Sequence, residues 1–283
     1  MASTSEVEQT PVANGTESIP SIELFIKASQ IAREEKGPCP ISQQWILAFY
    51  ILAEKKLTEL YLTTVNPDVP PDSYLALNVS RRLPVANVTK GPDPRLKTSN
   101  AADAPDPADT NDEIEQLMDA FRCPNLALPK DSRDEANAEK AICDLYKNFS
   151  LMLKTDNRAP LINSLRKIDN FLGLRPCRYL LSDELTYADC QLMPKLHHVR
   201  LAGEFYRGFT IPEELRHLQD YLVGMYTACD AFRTSCPADR DILHLYYDKV
   251  PRSLLSSIRA QPTLMDNRRT LLGESGGTGG IPY

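Results

Sequence analysis

The spacing of the apolar residues changes once along this chain, and that change constrains the fold more than any other feature. Before residue 122 the apolar residues come in short, separate runs. Residues 21–27 alternate, with Ile22, Leu24 and Ile26 on one side and Glu23, Phe25 and Lys27 on the other, which is the period of a strand. Residues 41–53 are mostly apolar and long enough for a helix, closed by Glu54-Lys55-Lys56. Residues 60–65 are β-branched and aromatic, a second strand. A connection of this length between the two predicts a right-handed parallel crossover. After residue 134 only helical spacing remains. In residues 135–154, read as one helix, Ile142, Leu145, Tyr146, Phe149, Met152 and Leu153 recur at three- and four-residue steps.

The rest of the first half continues with a short helix over 72–77, a strand over 85–88 directly after Leu83-Pro84, and a turn at 91–94. A last short strand is predicted at 96–98 and an exposed loop at 101–109. A helix over 112–121 carries Ile114, Leu117, Met118 and Phe121 on one face. This order, βαβ then α, ββ and α, is that of a thioredoxin-like domain. Later helices are predicted at 161–172, 187–202, 213–228 and 238–249. The fold class is therefore an α/β thioredoxin-like N-terminal domain (21–121), a linker (122–134) and an all-α C-terminal domain (135–260), a glutathione-transferase-like architecture. Residues 1–20 and 261–283 are polar or Gly-rich and read as a disordered leader and tail.

The net charge of −6 comes without a basic stripe, so nucleic acid is not an expected partner. The first twenty residues lack an apolar signal core, which predicts a cytoplasmic protein with reduced thiols. The seven cysteines have neither disulfide-framework nor zinc-ligand spacing, and no metal is expected. Cys143 and Cys190 fall in helical runs and read as core thiols. His197 and His198 are adjacent, point to different helix faces and read as structural. The apolar run 45–53 is shorter than the roughly 20 residues a transmembrane helix needs, so it reads as a buried helix.

Chemistry concentrates at Cys39-Pro40-Ile41-Ser42. It follows a strand and opens a helix, where unpaired N–H groups and the positive end of the dipole favour a thiolate. Pro40 suits the first helical turn. Ser42 stands where a dithiol oxidoreductase has its second cysteine, so Cys39 can form a mixed disulfide with a small thiol such as glutathione but no disulfide within the motif. Leu83-Pro84 matches the cis-proline that precedes the third strand of thioredoxin-like folds. Far downstream, Thr186 and Asp189 have the spacing of a capping box.

LLSDELTYADCQLMPKLH at 180–197, YRGFTIPE at 206–213 and SCPAD at 235–239 resemble the chloride intracellular channel (CLIC) family. Together with Cys39 and Leu83-Pro84 the resemblance covers most of residues 21–250, and residues 139–140 with 144–149 resemble its nematode members. The resemblance implies a protein that is soluble, can associate with membranes and is linked to chloride conductance. The stretch proposed to enter the bilayer corresponds to residues 39–65. It also implies glutaredoxin-like activity through Cys39, with glutathione contacted by Cys39, Pro40, Leu83, Pro84, Asp109 and Thr110. An insertion between Val88 and Asp109 makes Thr98-Ser99 a rival for the last pair. Asn78 replaces a second cysteine found in one vertebrate member, and Ser80 and Arg81 replace glycines. Three functions stay open: a CLIC-type channel protein, a glutathione-dependent monothiol oxidoreductase, and a non-catalytic adaptor for other proteins, such as cytoskeletal ones.

Overall fold

The computed structural model describes residues 19–80, 82–96, 105–127, 132–175 and 177–259. The leader up to residue 18, Arg81, Thr98-Ser99 and the tail from residue 260 lie outside them. The first half runs β1 (Ser21–Lys27), α1 (Pro40–Glu54), β2 (Glu59–Val65), α2 (Asp72–Leu75), β3 (Val85–Lys90) and α3 (Asn111–Ala120). The second half is helical: α4 (Arg133–Ile142), α5 (Leu145–Thr155), α6 (Ala159–Gly173), α7 (Tyr187–Arg207), α8 (Arg216–Ala228), α9 (Asp230–Ser235), α10 (Asp239–Tyr247) and α11 (Arg252–Arg259).

The sheet order is β2-β1-β3. β1 is parallel to β2, from Ser21 opposite Glu59 to Lys27 opposite Val65, and antiparallel to β3, with Phe25 opposite Val85. The strand expected at 96–98 is not where the sheet continues. Leu96 lies in a turn bonded to Asp93, and residues 97 and 98 are outside the described segments. Ala108 instead exchanges two 2.9 Å backbone bonds with Ala86 and is buried. The loop read as exposed therefore returns to the sheet. The bridge is made by an alanine, which carries no strand signal of its own.

The alternation in β1 sends its side chains into two clusters. Phe25 packs with Val65, Tyr74 and Val85 under α2. Ile22, Leu24 and Ile26 enter the main core, which continues through α1 into the helical half without interruption. α1 is the shared element. Trp45, Leu47, Phe49 and Leu52 are fully buried, and the helix packs on β1 and β2 on one side and on α7 and α9 on the other. The α1 C-terminus closes with a Schellman motif: Leu57 N–H reaches Leu52 C=O at 3.0 Å and Lys56 N–H reaches Ala53 C=O at 2.9 Å. Lys56 takes the left-handed position, φ 58°, that glycine usually fills. Nothing in Glu54-Lys55-Lys56 announces this cap.

The single helix read at 135–154 is two, α4 and α5, with a break at Cys143-Asp144. No Gly or Pro marks it, and both residues keep right-handed dihedrals, so the apolar spacing runs through the bend unchanged. The break leaves Cys143 exposed, not in the core, whereas Cys190 is fully buried. The stretch read as linker also contributes to the core, through Cys123 and Leu126.

α7 starts from a capping box. The Asp189 carboxylate accepts from Thr186 N–H at 2.9 Å and from the Thr186 hydroxyl at 2.6 Å. It also accepts from Leu180 N–H at 3.0 Å and the Tyr221 hydroxyl at 2.8 Å, all within the protein interior. Burial pushes the Asp189 carboxyl up, and its donors pull it back. Asp189→Ala leaves those donors buried without an acceptor, so stability should fall by on the order of 3–5 kcal/mol, read as a lower urea midpoint. The isosteric Asp189→Asn should lose less.

Candidate functional site

Cys39 is the N-cap of α1, half-buried, with φ −86° and ψ 115°. Its carbonyl accepts from Gln43 N–H at 3.0 Å, Pro40 occupies the first turn, and no acidic residue stands there to oppose a thiolate. Ser42 is buried one turn further on, its hydroxyl bonding no described group. The loop that delivers Cys39 needs glycine at residue 37. A Cβ there would meet the Lys27 and Ala28 carbonyl oxygens at 2.5 and 2.6 Å.

The helical half grips the same loop. The Ser29 hydroxyl donates to the buried Asp241 carboxylate and accepts from Ile31 and Ala32 N–H at 3.0 and 2.9 Å. Lys36 donates to the Thr234 carbonyl, and burial pulls its ammonium pKa down. Arg240 pairs with Glu35 at 3.0 Å, and Gln43 Nε2 donates to Ser235 Oγ at 3.2 Å. Loop and helix start are thereby fixed against α9 and α10.

Leu83–Pro84 is a cis peptide bond. Because Val85 pairs with Phe25, Pro84 stands at the carboxyl end of β1, the end from which the Cys39 loop departs. Asp109 is tied to the segment before it, accepting from Ser80 N–H at 2.9 Å and the Ser80 hydroxyl at 2.6 Å. These bonds, with Arg82 nearby, hold the Asp109 carboxyl below its usual range. Thr110 caps α3: its hydroxyl accepts from Glu113 N–H at 3.3 Å, and Glu113 accepts from Thr110 N–H at 3.1 Å. The S/T-x-x-E spacing of this second capping box was readable in the sequence. Arg82 thus already spends part of its field on Asp109, and Asn78, φ 53°, is an exposed turn residue.

Sequence reasoning missed the wall contributed by the helical half. Burial pushes the Tyr146 hydroxyl of α5 up, and its bond with Tyr246 of α10 pulls it back. Tyr146 and Tyr246 share a 2.6 Å hydroxyl bond, and His198 Nδ1 lies 2.8 Å from the Tyr246 hydroxyl. Lys249 sits 4.9 Å from the Tyr246 ring centroid. Its ammonium pKa is lowered by burial and further by Lys27 and Lys154. These groups come together from positions more than a hundred residues from Cys39, so no local motif could signal them. His197 turns to a different partner, the Tyr226 hydroxyl at 2.6 Å.

A helical half of this form, docked on a small sheet with a cysteine at its first helix, defines a glutathione-transferase-like protein. Residues 138–223 match the family model described as the glutathione S-transferase C-terminal domain. The structure superposes on a Chlamydomonas reinhardtii dehydroascorbate reductase with a TM-score of 0.60 at 21% identity, covering 81% of this chain and 98% of that one. The crystal structure of the CLIC homologue EXC-4 from Caenorhabditis elegans gives a TM-score of 0.69 at 27% identity, covering 86% of this chain and 98% of that one. In sequence, the chain is 34% identical over 254 residues to the Drosophila melanogaster chloride intracellular channel Clic, which spans 88% of this chain and 90% of the relative. The chain belongs to the chloride intracellular channel family.

The two buried histidines give the site a pH signature. Burial pushes His198 down to about 3 and His197 well below its usual value. Both pKa values are depressed on folding, so the unfolded chain binds more protons once the pH drops below about 6.5, and stability falls with it. Each histidine should cost about 2 kcal/mol between pH 6.5 and 5. Urea unfolding at the two pH values measures this, and His198→Gln should remove its share of the difference.

Proposed function

We propose that this protein resides in the cytoplasm, associates with membranes under particular conditions and supports a chloride conductance. The observation that carries this reading is the 34% identity, over nearly the full length, with a relative named for chloride channel function. Among the described residues no helix is long and apolar enough to cross a membrane. Any membrane form built from residues 39–65 therefore begins with α1 leaving both its sheet and α7. Purified protein mixed with chloride-loaded liposomes, over a range of pH and redox conditions, should release chloride above a heat-denatured control. Efflux equal to that control at every condition sinks the proposal.

A second reading is favoured by Cys39 itself: a thiol at a helix N-terminus, with Leu83–Pro84 at the same end of β1. In this reading the protein is a glutathione-dependent monothiol oxidoreductase. The Cys39 thiolate attacks the glutathionyl sulfur of a mixed disulfide; a Cys39–glutathione disulfide forms as the other thiolate leaves. A glutathione thiolate then attacks that disulfide, releasing glutathione disulfide and the Cys39 thiolate. Glutathione rests against Pro40, Leu83 and Pro84, with Asp109 and Thr110 at the edge. Glutaredoxin-type turnover should be present in the wild type and fall by at least a hundredfold, roughly to background, in Cys39→Ser. Equal turnover in the two proteins would exclude Cys39 as the nucleophile.

A further inference from the structure

The two edges of the sheet are finished differently. On β3, Ala86 exchanges backbone bonds with Ala108, so part of that edge is covered. Among the described residues β2 pairs with β1 alone. Glu59 N–H reaches the Pro20 carbonyl at 3.0 Å, and the Val65 carbonyl accepts from Ala28 N–H at 2.9 Å. Glu59, Tyr61, Thr63 and Val65 therefore turn their backbone groups to β1, because the N–H and C=O of one strand residue point to the same side. Leu60, Leu62 and Thr64 turn theirs outward, and among the described residues no backbone group meets them.

Natural sheet edges are blunted by lysine, proline, a bulge or a covering segment. The sequence of β2, ELYLTTV, holds no lysine or proline, and its register with β1 runs unbroken from Glu59 to Val65. Tyr61 is 52% exposed and Leu62 41%, one on each face of the strand. An edge of this kind is a template for a further strand.

The strand that fits is β2 of a second copy, antiparallel about a two-fold axis. The outward groups set the register. With Leu62 opposite the partner's Leu62, Leu60 falls opposite the partner's Thr64, and each such pair exchanges two backbone bonds. Tyr61 falls opposite the partner's Thr63, at the closer spacing where side chains touch. Glu59, which already accepts from the Ser21 hydroxyl at 2.8 Å, falls opposite the partner's Val65, so no like charges meet along the strand. The flanks are complementary. Exposed Lys56 precedes β2 and exposed Asp68 follows it, and neither is in an ion pair among the described residues. The same register sets Lys56 beside the partner's Asp68, and the symmetry makes that match twice.

We infer that the free edge of β2 is a self-association surface, through which two copies of this chain join their sheets into one, with Leu62 on the axis.

Sedimentation velocity tests this on the full-length protein under reducing conditions, which keep the exposed Cys143 from forming a disulfide dimer. From about 1 to about 200 µM the wild type should pass from monomer to dimer. Leu62→Lys and Leu62→Glu each set like charges against one another on the axis and should weaken the dimer at least about tenfold. An equimolar mixture of L62K and L62E should restore it, because on a two-fold axis this residue meets only its own copy; restoration also shows that both variants are folded. A wild type that stays monomeric over the whole range overturns the inference. So does a dimer that both variants leave intact, which would use another surface, and so does a mixture that stays monomeric.

Discussion

The contact on which the rest of the structure depends is that of α1 with α7. Trp45 is fully buried, its ring 5.5 Å from that of Tyr187 at the start of α7, and its indole N–H donates to Asn111 at 3.0 Å. Gln44, next to it, donates to the Tyr187 hydroxyl at 3.0 Å. One tryptophan therefore connects the sheet layer, the start of α3 and the first turn of α7. The Asp189 cap fixes that same turn from below by tying it to Leu180 and Tyr221. Cys39 caps α1 less than two turns before Trp45, so its position is inherited from that packing as well as from the loop that α9 and α10 hold.

The elements of the first half were legible because their signals are local. β1 matches the alternating run residue for residue, and α1 and β2 begin one residue earlier than the apolar pattern alone predicts. Both extra residues, Pro40 and Glu59, are polar-flank positions whose backbone, not side chain, belongs to the element. The failures share a cause too. The bend at Cys143-Asp144 preserves the helical spacing on either side, and the Ala86–Ala108 bridge is a backbone event made by residues with neutral side chains. Hydrophobic period reports which face is buried; it is blind to kinks and to isolated bridges.

The site divides in the same way. Cys39, Pro40 and Leu83-Pro84 are visible because helix starts and X–Pro pairs leave marks in a few consecutive residues. Tyr146, His198, Tyr246 and Lys249 look like ordinary core and rim positions of amphipathic helices, and only the crossing of α5, α7 and α10 brings them together. The adjacent histidines illustrate the difference. Their different directions follow from helical geometry, but the tyrosines they reach, Tyr226 and Tyr246, belong to different helices and could not be named in advance.

The dependence of α1 on α7 has a consequence for how the chain is made. α1 ends at Glu54, and α7, which covers it, is complete only at Arg207. About 150 residues separate the two events, and at roughly 5–20 residues per second a ribosome needs on the order of ten to thirty seconds to cross that interval. Throughout it the apolar face of α1 has been synthesised and its cover has not. A nascent chain is thus the form in which this helix is most available to other apolar surfaces, a bilayer among them, and release from the ribosome sets the time at which that availability ends.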